Sequence, residues 1–126
     1  MAKKILVADD DQSVTKTLKA ALEYAGYEVD LALNGEECLK KILLNKPDLL
    51  ILDVMMPRMD GYSFLVAIKE LRVLTGNTPD VPVIVITGKD SDVSRDLMTH
   101  ENIKEYLLKP FDLNELLAKI KNVLGG

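Results

Sequence analysis

The stretch Leu49-Leu50-Ile51-Leu52-Asp53, followed by the turn-rich Met56-Pro57-Arg58-Met59-Asp60-Gly61, decides the fold. Four apolar residues in a row, stopped by a carboxylate, do not fit a strand with one wet face. Such continuity predicts a strand covered on both faces, as in parallel sheets. Pro47-Asp48 breaks the chain just before the run, and proline, aspartate and glycine mark a turn just after it.

Similar runs lie on either side. Ile5-Leu6-Val7-Ala8 ends at Asp9-Asp10, Val83-Ile84-Val85-Ile86 ends at Thr87, and Tyr106-Leu107-Leu108 ends at Lys109-Pro110. Strands are predicted over about 4–9, 27–32, 49–53, 81–87 and 104–108. The second, Tyr27-Glu28-Val29-Asp30-Leu31-Ala32, alternates apolar and polar residues as a half-exposed edge strand does.

Helix-period runs separate the strands. One covers about 12–25, with Val14, Leu18, Ala21 and Leu22 on one face and Gly26 at its stop. A second opens at Asn34-Gly35 and carries Cys38, Leu39, Ile42 and Leu43 on its apolar face. A third is predicted over about 62–73, and a fourth over about 90–99 with a thin face of Val93, Leu97 and Met98. The last begins at Asp112, an N-cap with Glu115 at the capping-box spacing, and its stripe is Leu113, Leu116, Leu117, Ile120, Val123 and Leu124. A strand-helix unit repeated five times implies a mainly parallel sheet with helices on both faces, joined by right-handed crossovers. A common strand order for such α/β folds, 2-1-3-4-5, sets the first and third strands side by side at the centre.

The 126 residues match the commonest size of a single domain, and one domain over 1–126 is expected. The 48% apolar and 29% charged content is that of a soluble globular chain, and a net charge of -4 offers no basic patch for direct nucleic-acid binding. No apolar stretch approaches a membrane span, so no membrane insertion is expected. Met1-Ala2-Lys3-Lys4 leads straight into a strand without the apolar region of a signal peptide. One cysteine, Cys38, excludes an internal disulfide and fits a reducing, cytoplasmic setting. Its place in a helical pattern marks it as a packing residue.

The chemistry lies at the strand ends. In open α/β sheets, ligands bind beyond the carboxyl ends of the strands, where strand order reverses. Asp9, Asp10 and Asp53 then converge, and clustered carboxylates need a cation. Asp10 and Asp53 can each give one oxygen to a hard divalent ion, Mg²⁺ before Ca²⁺, and a backbone carbonyl just after Asp53 can join them. Lys109 supplies a point positive charge and Thr87 a hydroxyl, the parts that hold a transferring phosphoryl group. Asp53 is the best nucleophile candidate, since carboxylates form aspartyl phosphates. A lone aspartate at a strand end is more often a turn or cap residue, and Asp11 is assigned that milder role at the start of the first helix. The joint pattern at four strand ends outweighs that reading. His100 is read as a surface residue, and Met55 and Met56 as packing or loop residues.

On these residues the chain resembles a response-regulator receiver domain of two-component signalling. The anchors are Ile5 to Asp11, Leu52 to Gly61, Val85-Ile86-Thr87-Gly88 and Tyr106 to Phe111. The resemblance runs nearly end to end and implies a flavodoxin-like (βα)5 doubly wound fold with the same strand order. It implies that Asp53 accepts a phosphoryl group from the phosphohistidine of a histidine kinase or phosphotransfer protein, or from acetyl phosphate. It further implies direct Mg²⁺ ligation by Asp10, Asp53 and the Met55 carbonyl, with Mn²⁺ able to substitute and Asp9 acting through water. Lys109 would pair with the phosphoryl oxygens, while Thr87 and Tyr106 would form a switch pair. Gly88 would leave room for the phosphoryl group, and Pro110 would follow a cis peptide bond. The surface of the fourth helix, fifth strand and fifth helix would then control an output domain or downstream protein. A monomer or weak homodimer is expected.

There are departures. Ala8 stands where the family often has valine, the segment from Met98 to Glu105 lacks the usual Gly-Ala, and the connector 74–80 is slightly long. Two other functions are compatible with such a scaffold. A docking scaffold indifferent to phosphorylation has no need of a repelling acidic cluster. An aspartyl-phosphate phosphohydrolase usually carries a second acid two residues after its nucleophile, where this chain has Met55. Slow self-phosphorylation and dephosphorylation, rather than enzymatic turnover, are therefore expected. Nucleotide binding is disfavoured, because no glycine-rich phosphate loop follows the first strand.

Overall fold

The central apolar run forms strand β3 (Leu49–Asp53), and all five of its residues are buried. Around it, the computed structural model describes residues 2–53, 63, 66, 67, 69, 70, 81–88 and 103–125. They form β1 (Lys4–Ala8), α1 (Gln12–Tyr24), β2 (Glu28–Ala32), α2 (Gly35–Asn45), β3, β4 (Val83–Thr87), β5 (Ile103–Leu108) and a C-terminal helix (Leu113–Leu124). Ser63, Val66, Ala67, Lys69 and Glu70 are helical, inside the third predicted helix. The loop 54–61, the connector 75–80 and the fourth predicted helix lie outside the described residues.

The sheet is parallel throughout, as the strand-helix alternation predicts, and its order, β2-β1-β3-β4-β5, is the one the resemblance implies. The first crossover runs from β1 to β2 and the next passes back over β1 to β3. Right-handed crossovers in opposite directions put their helices on opposite faces. One face accordingly packs Ile5, Val7, Ile51 and Ile84 against Leu18 and Leu22 of α1 and Leu116 and Ile120 of the C-terminal helix. The other packs Leu6, Leu50, Leu52 and Val85 against Cys38 and Ile42 of α2. Each fully buried leucine or isoleucine contributes about 1.5–3 kcal/mol by leaving water. The edge strand β2 alternates exposed and half-buried residues until Ala32, as predicted. At the other edge, β5 begins at Ile103 rather than Lys104. A bulge explains this, because Val83 pairs with Ile103 while Ile84 pairs with Glu105.

Helix ends follow local chemistry. The Asp11 side chain accepts from the Ser13 and Val14 amides to cap α1, Asn34 accepts from Glu37 to cap α2, and Asp112 accepts from Asn114 to cap the C-terminal helix. Gly26 follows α1 at φ 101°, a conformation that favours glycine. Lys46 ends α2 at φ 47°, in the left-handed region although it carries a Cβ. One predicted core residue is corrected. Leu43 is 42% exposed, because the buried stripe of α2 is Gly35, Cys38 and Ile42, and Leu43 lies about 100° round the helix from Ile42. Cys38 is fully buried, and burial foremost, then the Glu37 charge, raises its pKa to about 12, so it packs rather than reacts. Among the described residues, no helix is long and apolar enough to cross a membrane.

Candidate functional site

Register places the acids. Ala8 pairs with Leu52, so Asp9, just past the end of β1, and Asp53, at the end of β3, stand side by side where strand order reverses. The Asp9 amide donates to the Ala32 carbonyl at 3.1 Å, which ties this end of β1 to β2. Asp9 is fully buried, Asp53 is 5% exposed, and Asp10 is exposed. One oxygen from each of the three lies within 4.8 Å of the others. Two like charges at that distance repel by about 3–4 kcal/mol at an effective dielectric near 20.

Lys109 answers part of that charge. It leaves the end of β5, two strands from β3, and its Nζ donates to Asp9 Oδ2 at 2.7 Å and to Asp53 Oδ2 at 3.3 Å. Burial alone would lower the lysine's pKa. The hydrogen bond to Asp9 and the charges of Asp53 and Asp9 outweigh it, and the net shift is upward. Among the described residues one ammonium faces three carboxylates, and a divalent cation complements that acidic surplus. All the donors are hard oxygens, one of them on the solvent side. They fit a magnesium-type ion that keeps several of its waters.

The other Asp9 oxygen is held from behind, because the Asp11 amide donates to Asp9 Oδ1 at 3.0 Å. Asp11 was legible in the sequence only as a helix cap. The signal for the second role is the Asp9-x-Asp11 spacing itself, since an aspartate side chain readily accepts from the amide two residues on.

The remaining predicted residues fall around this pocket to different degrees. Thr87 ends β4 in register with Leu108, while its neighbour Ile86 pairs with Asp53. The Thr87 side chain lies outside the described residues. Gly88 is exposed, and a Cβ added there would meet nothing within 4 Å. Tyr106 is half-buried, pairs with Val85 and packs against the α2-side core. Pro110 follows a cis peptide bond from Lys109. Met55, Lys89 and His100 lie outside the described residues.

Beside Lys109 an open groove of about 530 Å³ runs between α1 and the segment after β5, lined by Val14, Leu18, Pro110 and Phe111. A second hollow, of about 220 Å³, lies against Lys4, Glu28, Asp30 and Lys41 at the far end of the sheet and shares no residue with the acidic pocket.

Comparison with known proteins gives concordant results. The family model described as response regulator receiver domain matches residues 5–121. Response regulator MprA of Mycobacterium tuberculosis is 42% identical over 124 residues, covering 98% of this chain and 51% of its own length. The chain thus spans about half the length of the curated relatives it matches. A CheY-like response regulator receiver domain protein from Methanospirillum hungatei superposes with a TM-score of 0.86 at 30% identity, covering 99% of this chain and 95% of its own. The chemotaxis protein CheY4 of Vibrio cholerae superposes with a TM-score of 0.81 at 31% identity, over 98% of this chain and all of its own.

Proposed function

This chain belongs to the response regulator receiver domain family of two-component systems, and on that premise we propose that Asp53 accepts a phosphoryl group in a Mg²⁺-dependent reaction that switches an output surface. The observation that carries the reading is the gathering of Asp9, Asp10 and Asp53 oxygens within 4.8 Å, with Lys109 bonded to two of the three residues.

An Asp53 carboxylate oxygen attacks phosphorus. A P–O bond to Asp53 forms as the P–N bond of a phosphohistidine, or the P–O bond of acetyl phosphate, breaks, and the donor keeps the electron pair. Asp10, Asp53 and the Met55 carbonyl would hold the Mg²⁺, and Mn²⁺ would substitute. When bound, the ion offsets carboxylate repulsion and neutralises charge on the phosphoryl oxygens. Lys109 shifts from the carboxylates to a phosphoryl oxygen, and Thr87 gives its hydroxyl to another. Tyr106 follows Thr87 inward. The phosphorylated state is favoured only through such differential contacts, and they bias the surface around β5 and the C-terminal helix.

The donor is a histidine kinase or phosphotransfer protein, and the groove beside Lys109 offers it an apolar surface next to the pocket. The readout is an output domain or a separate downstream protein. The working unit is one receiver domain over 1–126, cytoplasmic, and a monomer or weak homodimer. The test is acetyl phosphate with Mg²⁺, followed by intact mass. One phosphoryl group is expected on the wild type and none on Asp53→Asn. Equal labelling of the variant would refute the assignment of Asp53.

A further inference from the structure

We propose that Asp11 is a positioning residue for the acidic pocket: by capping α1 it fixes the backbone amide that holds the Asp9 carboxylate in line for the cation. The inference rests on the reading of the pocket as a Mg²⁺ site.

Four hydrogen bonds make the link, three at the cap and one at the pocket. The Asp11 side chain accepts from the Ser13 amide at 3.0 Å and the Ser13 hydroxyl at 2.7 Å, with a longer contact from the Val14 amide at 3.4 Å. These fix the Asp11 backbone in the extended cap conformation, φ -84° and ψ 105°. In that conformation the Asp11 amide points back and donates to Asp9 Oδ1. The residue therefore faces both ways, with its side chain on the helix and its amide on the pocket.

The Asp9 carboxylate is fully buried, and its two oxygens are held by different kinds of donor. Oδ2 is held by Lys109, whose flexible side chain also reaches Asp53. Oδ1 is held by a backbone amide that moves only if the start of α1 moves. Once Lys109 follows the phosphoryl group, the amide is the fixed point that remains. Outer hydrogen-bond partners of this kind orient the groups around a metal and tune their affinity for it. Loss of the cap releases the amide from its aim, and the carboxylate with it.

The test is Mg²⁺ titration by calorimetry on the full chain and four variants. Asp11→Ala removes the cap oxygen and is expected to weaken Mg²⁺ by roughly tenfold, the low end for loss of an outer partner. Asp11→Asn removes the charge but keeps a good cap, and is expected to bind Mg²⁺ as the wild type does. Asn34→Ala removes the α2 cap, a comparable loss in a helix that holds no pocket carboxylate, and is expected to leave Mg²⁺ affinity unchanged. Asp10→Ala abolishes binding if the pocket itself is the site.

Equal affinities for Asp11→Ala and Asp11→Asn would overturn the positioning role, since charge alone, or nothing, would then be at work. An equal loss in Asn34→Ala would overturn it in favour of general destabilisation. Failure of the wild type to bind Mg²⁺, or full binding by Asp10→Ala, would remove the underlying site, and the positioning role with it.

Discussion

The Lys109 ammonium lies 2.7 Å from Asp9 Oδ2, which joins the end of β5 to the end of β1 across the mouth of β3 and β4. The same nitrogen stands 3.3 Å from Asp53. The lysine is therefore a built-in counter-ion, with Asp9 as its closer partner.

That arrangement sets lysine and metal in competition for the same charge. In Lys109→Met the aliphatic stem stays and the ammonium goes, which leaves the buried Asp9 carboxylate beside Asp53 without its lysine partner. The metal-free variant is expected to lose about 1–3 kcal/mol, less than for a fully enclosed pair because the lysine side chain is 24% exposed. Mg²⁺ should restore more stability to the variant than it adds to the wild type, because it binds the more negative pocket more tightly. Melting temperatures across a Mg²⁺ series check this. A smaller metal-induced rise in the variant would mean that lysine and ion do not share the charge.

Asp10 gives the opposite sign. It is exposed and adds negative charge to a cluster that already repels. Asp10→Ala should leave the metal-free protein as stable as the wild type or slightly more so, and should abolish the rise in melting temperature with Mg²⁺. A preserved rise would exclude Asp10 as a ligand.

The upward shift of Lys109 makes a statement about pH. A lysine that holds its proton more tightly when folded stabilises the fold fully below its ordinary pKa, 10.5, and that contribution fades as pH rises through the higher folded value. Lys41 shifts in the same direction: burial opposes the shift, and its hydrogen bond to Asp30 and the charges of Asp30 and Glu37 outweigh burial. The metal-free protein should thus lose stability above about pH 10.5 in urea unfolding, and Lys109→Met should lose less over the same range. Parallel pH profiles for the two proteins would show that Lys109 is not linked to folding.

Much of this was legible in the sequence, for identifiable reasons. The run from Leu49 to Asp53 indicates a doubly covered strand, and the alternation from Tyr27 to Ala32 an edge or half-exposed one. Those two facts place one strand at the centre and another at an edge; the full order is the common one for such folds and the one the family resemblance implies, and it brings Asp9 and Asp53 together. What the sequence hid depends on ångström-scale choices. Whether Lys109 favours Asp9 or Asp53 is a difference between 2.7 Å and 3.3 Å. The amide of Asp11 carries no side-chain signature at all. Leu43 is exposed because the buried face of α2 is narrow and Leu43 lies about 100° round the helix from Ile42.

The backbone at the two helix ends yields the last prediction. Lys46 and Gly26 both occupy the left-handed half of φ space, at 47° and 101°, but only one of them is a glycine. Lys46→Gly should remove the Cβ strain at the end of α2 and stabilise by about 0.5–1 kcal/mol, partly offset by the freer unfolded chain. Gly26→Ala should cost about 1–2 kcal/mol from the backbone alone, because an added Cβ there would meet nothing within 4 Å. Gly26 and Lys46 precede β2 and β3, at the end of the parallel sheet opposite the carboxyl ends that carry Asp9, Asp53 and Lys109, so Mg²⁺ affinity should stay unchanged in each. Urea unfolding of the two variants, read beside their Mg²⁺ titrations, separates backbone strain from the chemistry of the pocket. A stabilised Gly26→Ala would show that the chain relaxes out of that conformation at no cost.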